Sequence, residues 1–258
     1  WLIDKLAVSL DSLRRPGNAY VPYDYTLNID DQLFKYGARI QSNLILDMEC
    51  SKIPLQTGMM GKTPQYDQFP WFYYPLITPK SNHPIVKSLD RVNLYFPSSI
   101  DTIQTKTAVH KEILLSSSKY TRLQPNTSRL NFEVLRYDAE PERFNKPYQP
   151  VAVLLEGTFP SLYENRVAPE MQEGLTKLGL QYKPLSKETR QIVISDGDVA
   201  RNAYNPATGE MRPLGFNPYE RRVFANKNFL VNCIEYLIEG RGIIEARARE
   251  VKLRLLDN

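Results

Sequence analysis

Apolar positions along this chain fall into short continuous runs, each cut off by a small or acidic residue. Four stand out: Trp1-Leu2-Ile3 before Asp4, Ile113-Leu114-Leu115 before Ser116-Ser117-Ser118, Val151 to Leu155 before Glu156-Gly157-Thr158, and Ile192-Val193-Ile194 before Ser195-Asp196-Gly197-Asp198. Continuous rather than alternating hydrophobicity predicts strands covered on both faces, the signature of a mostly parallel sheet in an α/β layer fold. Between the runs, Ala168 to Leu178 reads as a helix with Gly179 as its C-cap, and Asn226 to Glu239 as a stronger one closed by Gly240. The second places Phe229, Leu230, Cys233, Ile234 and Leu237 on one stripe, a face suited to lie on a sheet. VKLRLLD at 251–257 alternates apolar and basic residues, as a half-exposed edge strand would.

Residues 12–107 differ in texture, with frequent Pro, Tyr and Asn, and FPWFYYPLITP (Phe69 to Pro79) sets five aromatics between prolines. Burial of that run in a core is the simpler expectation; an exposed docking surface is the other. Asn28 is placed to cap a helix over IDDQLFKY that Gly37 stops, and ARI and NLILD after it read as short strands. The expected organisation is an α/β core of residues 1–11 and 108–258 interrupted by an inserted α+β segment at 12–107.

Composition narrows the function. The 258 residues carry 33 basic and 29 acidic side chains, a net charge of +4, interspersed rather than clustered. No basic stripe marks a nucleic-acid partner. The only cysteines, Cys50 and Cys233, lie in unrelated contexts, and Cys233 at helical spacing reads as a core thiol. No stretch reaches the ~20 apolar residues of a membrane helix. The chain starts at WLID without Met and reads as a piece of a longer protein, so any anchoring segment is expected beyond it.

Asp196 and Asp198 are the sharpest candidates for chemistry, because ligands of open α/β sheets collect at strand ends. Two carboxylates two residues apart suit Mg²⁺ or Ca²⁺, but a calcium loop would need ligands where Ala200 and Ala207 stand. The simpler reading is a turn in which one aspartate caps and Gly197 supplies an unusual backbone angle. No G-x-S-x-G or G-x-C-x-G elbow follows any strand. The serine run 116–118 has only His83 and His110 in the whole chain as possible bases; His110 falls a strand length away, and His83 before a proline suits a turn. GMMGKT (58–63) has two residues between its glycines where a phosphate loop needs four.

Several segments together resemble one family, the gliding-motility-associated ABC transporter auxiliary component (GldG type). They are LNIDDQLFKYGARIQSNLILD, HPIVKSLDRVNLYFPSSID, ILLSSSKYTRL, VAVLLEGTFPS, IVISDGDVARN and NKNFLVNCIEYLIEGRGIIEARAREVKLRLLD, in the family's order from about residue 26 onward. The resemblance implies a Rossmann-like, amidotransferase-like α/β domain with helices on both faces of a mostly parallel sheet. It also implies a periplasmic module, tethered to the inner membrane and working with an ABC permease, an ATPase and cell-envelope components. On this reading the chain is a non-enzymatic binding or scaffolding domain without metal or cofactor. Its candidate rim is formed by the strand ends Asp4, Ser116, Ser117, Ser118, Glu156, Thr158, Asp196 and Asp198. Two alternatives stay open: a metal-dependent hydrolase using Asp196, Asp198 and Glu156, and a glycan- or peptide-binding receptor.

Overall fold

The computed structural model describes residues 1–13, 19–136, 139–205 and 207–239. In chain order they form β1 (Leu6–Ala7), α1 (Leu10–Leu13), β2 (Tyr23–Asp24), α2 (Asp30–Tyr36), β3 (Ala38–Ile40), β4 (Asn43–Asp47), β5 (Cys50–Met60) and β6 (Thr63–Ile77). There follow β7 (Val92–Asn93), β8 (Ile100–Thr102), β9 (Val109–Ser116), β10 (Thr121–Pro125), β11 (Pro150–Gly157), α3 (Pro169–Lys177), β12 (Thr189–Ile194), β13 (Phe216–Asn217), β14 (Arg222–Val223) and α4 (Asn226–Glu239).

These elements do not make the expected Rossmann-like sheet. The described residues are mainly β, arranged as small antiparallel sheets, and the central one has the order β12-β11-β9 with both pairings antiparallel. Among the described residues the one parallel pairing is the bridge Leu2–Ile194, through which residues 1–3 join the edge of β12. The reason for the difference is visible in the packing. Leu154, Ile192 and Ile194 point to one face of the sheet, where Phe229, Cys233 and Tyr236 of α4 cover them. Val153, Leu155 and Val193 point to the other, where Leu33, Ala38, Ile40, Ile100 and Phe159 cover them. Continuous hydrophobicity thus reports burial on both faces, and it is indifferent to strand direction. Residues of 12–107 supply side chains to both of these cores.

A third core gathers the aromatic run: Trp71, Phe72, Tyr73 and Tyr74 on β6 are all buried and pack with Phe96, Leu130 and Phe144. GMMGKT is the tip of the long β5–β6 hairpin, whose two-residue turn Gly61-Lys62 has φ +64° at Gly61. Glycine at the first central position of a two-residue hairpin turn tolerates that sign without strain.

Two local expectations are amended here. The capping residue of α2 is Ile29 without a side-chain bond, while Asn28 itself turns left-handed at φ 55°, and Gly37 ends the helix at φ 103°. The Asp30 carboxylate instead accepts both bonds of the buried Lys5 ammonium, at 2.9 and 3.0 Å, which fastens the first residues to α2. On α4 the buried side chains are Asn226, Phe229, Cys233 and Tyr236, whereas Ile234 and Leu237 face outward. The Gly240 stop and the 251–257 edge strand lie outside the described residues.

Candidate functional site

Strand polarity decides which of the expected rim residues meet. β9 ends at Ser116 opposite Pro150, the start of β11, and β12 ends at Ile194 opposite Ala152. The segment 1–3 runs parallel to β12, so Asp4, Ser116 to Ser118 and Asp196 to Asp198 gather at one end of the sheet. Because β11 runs the other way, Glu156 and Thr158 sit at the opposite end. There Glu156 accepts hydrogen bonds from Arg190 Nε at 3.0 Å and the Tyr236 hydroxyl at 2.8 Å. Asp196, Asp198 and Glu156 therefore do not converge. Among the described residues no group of three His, Cys, Asp or Glu is placed to hold a metal ion.

At the shared end, the serines bond inward. Ser118 donates to Asp47 from its backbone N–H at 2.6 Å and from Oγ at 2.5 Å, and Ser117 Oγ accepts from Gln149 N–H at 2.8 Å while bonding Thr121 Oγ1. Asp47 is fully buried, and its carboxylate also accepts from Thr121 Oγ1 at 3.2 Å and Glu49 N–H at 2.8 Å. Burial pushes its pKa up, and these donors oppose the push. The sequence reading took Asp47 only as the last residue of NLILD. A single carboxylate closing an apolar strand, with the hydroxyls of Ser118 and Thr121 at other strand ends to satisfy it, is the signal that would have found it.

Asp196 is the other fully buried carboxylate. Its Oδ2 accepts the Tyr95 backbone N–H at 2.7 Å. Its Oδ1 has no partner at hydrogen-bond geometry, and the backbone N–H groups of Tyr95 and Asp198 oppose the rise in the pKa of the carboxyl. Burial raises that pKa well above the ordinary value, and the charges of Asp4 and Asp198 add to the rise. Asp4, also raised by burial, accepts the Gly197 N–H at 2.7 Å. The turn at Asp198–Ala200 thus has no side-chain cap from either aspartate, and Gly197 has an ordinary right-handed conformation at φ −76°, ψ −31°. Glycine leaves room for Asp4 there: a Cβ would lie 2.7 Å from Asp4 Oδ2 and the Asp4 carboxylate would have to shift.

Asp198 faces outward and meets Arg201 Nη1 at 3.4 Å on the wall of a cleft of about 270 Å³. The cleft is framed by the turn at 198–204, the α1 residues Leu10 and Asp11, and the rings of Tyr95, Phe216 and Tyr219. Tyr95 links the buried turn to the cleft, since it lines the cleft and its N–H holds Asp196. Arg201, Tyr204, Phe216 and Tyr219 were not singled out by the sequence, because they stand in an aperiodic Pro/Asn/Gly stretch.

Residues 1–233 match the family described as an ABC-type uncharacterized transport system. The chain belongs to that family. Membership makes it an accessory of an ABC-type transport system, in partnership with other transporter components. Neither the curated proteins nor the solved structures provide a match. No described helix is long and apolar enough to cross a membrane.

Proposed function

We propose that the chain is a non-catalytic binding module of an ABC-type exporter of the gliding-motility or cell-envelope kind. In this reading it is extracytoplasmic, tethered to the inner membrane by segments outside this sequence, and works beside a permease and an ATPase subunit. The ligand occupies the cleft beside the Asp196 turn. The observation that carries the reading is the construction of that cleft: separate segments around residues 10, 95, 201 and 217 meet over the end of the central sheet, where loops held by a rigid scaffold bind ligands. Non-catalytic use is supported by the placement of the candidate nucleophiles and bases. Ser117 and Ser118 are committed to buried bonds, His83 is buried against Tyr236, and His110 lies at the far end of β9.

A purified chain mixed with the dialysable fraction of its own cell envelope is expected to melt at higher temperature, because a ligand bound only by the folded state stabilises it. Tyr204→Ala is expected to abolish the rise. An equal rise in the variant, or none in the wild type, overturns the assignment of the cleft.

A further inference from the structure

We infer that the cleft beside the Asp196 turn takes a saccharide, bound at a terminal sugar unit; this rests on the cleft being the ligand site. Its walls divide into two chemistries. One is aromatic, with Tyr204 on the rim at 62% exposure and Tyr95, Phe216 and Tyr219 deeper. The other is polar and carries both signs, with Asp198 beside Arg201.

A sugar ring has the matching division. Its C–H face packs on an aromatic ring, as an apolar surface does, and its hydroxyl edge offers adjacent donors and acceptors. Planar carboxylate and guanidinium groups meet such adjacent hydroxyls at two points each. The Asp198–Arg201 contact leaves them able to do so: Nη1 reaches the two carboxylate oxygens only at 3.4 and 3.5 Å, a long and exposed pair that a ligand displaces at little cost. Mixed charge in one wall disfavours a free phosphate, which would face Asp198, and a quaternary ammonium, which would face Arg201. The volume, about 270 Å³, lies just below the range of pockets that enclose drug-sized ligands, and it suits one sugar unit. The rim tyrosine is fixed from behind, since Tyr204 bridges to Met211 and Asn202 Nδ2 donates to the Arg212 carbonyl at 2.9 Å. A stacking platform needs that fixed backbone to limit the entropy lost on binding.

Isothermal titration of the chain with cellotriose, chitotriose, maltotriose and digalacturonate, and separately with choline and inorganic phosphate, tests the assignment. One of the saccharides is expected to bind saturably at one site. Tyr204→Ala and Asp198→Asn are each expected to weaken that binding about tenfold, while Glu156→Gln at the far end of the sheet leaves it unchanged. Circular dichroism and melting of the variants separate lost binding from lost folding. Binding of choline or phosphate in place of every saccharide overturns the saccharide class and leaves the cleft as the site. Silence from all six probes, with the envelope fraction still raising the melting temperature through Tyr204, overturns the saccharide alone; silence in both experiments overturns the cleft as well.

Discussion

Asp47→Ala is expected to remove about 3–5 kcal/mol of folding stability, read as a lower urea midpoint at unchanged slope. The carboxylate is fully buried and accepts bonds from two backbone N–H groups, at Ser118 and Glu49, and from the hydroxyls of Ser118 and Thr121. Deleting it strands these donors away from water, and a buried donor without a partner costs about 1–3 kcal/mol. Since β4 pairs with β10 through Asp47–Thr121, and Ser118 follows β9, the loss reaches two sheets at once. Against a total stability of about 5–15 kcal/mol, the variant approaches the unfolding threshold. A loss under about 1 kcal/mol would mean that the serines find other partners and that Asp47 does not organise this end of the sheet.

Asp196→Asn is expected to act in the opposite direction, stabilising the protein by about 1–3 kcal/mol near pH 8. Burial raises the folded pKa of Asp196, Asp4 and Asp47 above the ordinary 3.8. A carboxyl whose folded pKa is raised binds its proton more tightly in the native state, so its contribution is fully present below pH 3.8 and is lost as pH rises through the folded pKa. These three groups therefore make the protein less stable on going from about pH 4 to neutrality, while Asp90, lowered but exposed, opposes them weakly. Asparagine keeps an oxygen for the Tyr95 N–H and removes the buried charge that the carboxylates of Asp4 and Asp198 oppose. Chemical denaturation across pH 4 to 8 should show a flatter profile for the variant and a crossing with the wild type. A variant less stable at pH 8 would show that the Asp196 charge is compensated in the native state.

What was legible in the sequence was local. Asn43–Asp47, Ala38–Ile40 and Asn226–Glu239 form at the expected bounds, because capping, periodicity and apolar run length act over a few residues. The direction of the strands was not legible, since two-sided burial produces the same run of Val, Ile and Leu whether β11 is parallel or antiparallel to its neighbours. The face of α4 was misjudged for a related reason. Periodicity admitted Ile234 and Leu237, but Tyr236 wins the inner position, with its ring against His83 and its hydroxyl on Glu156. At the site, Asp196 was legible as a strand end; the expected backbone angle at Gly197 was not found, and the crowding there comes from Asp4, nearly the whole chain away.

Complementation in cells tests the cleft most directly. A strain lacking the gene would receive the whole gene carrying Arg201→Ala with Tyr204→Ala, or Glu156→Gln with Thr158→Ala, at matched protein levels. The cleft pair is expected to leave the deletion phenotype uncorrected and the far-end pair to restore the wild type. Full restoration by the cleft pair would contradict the account.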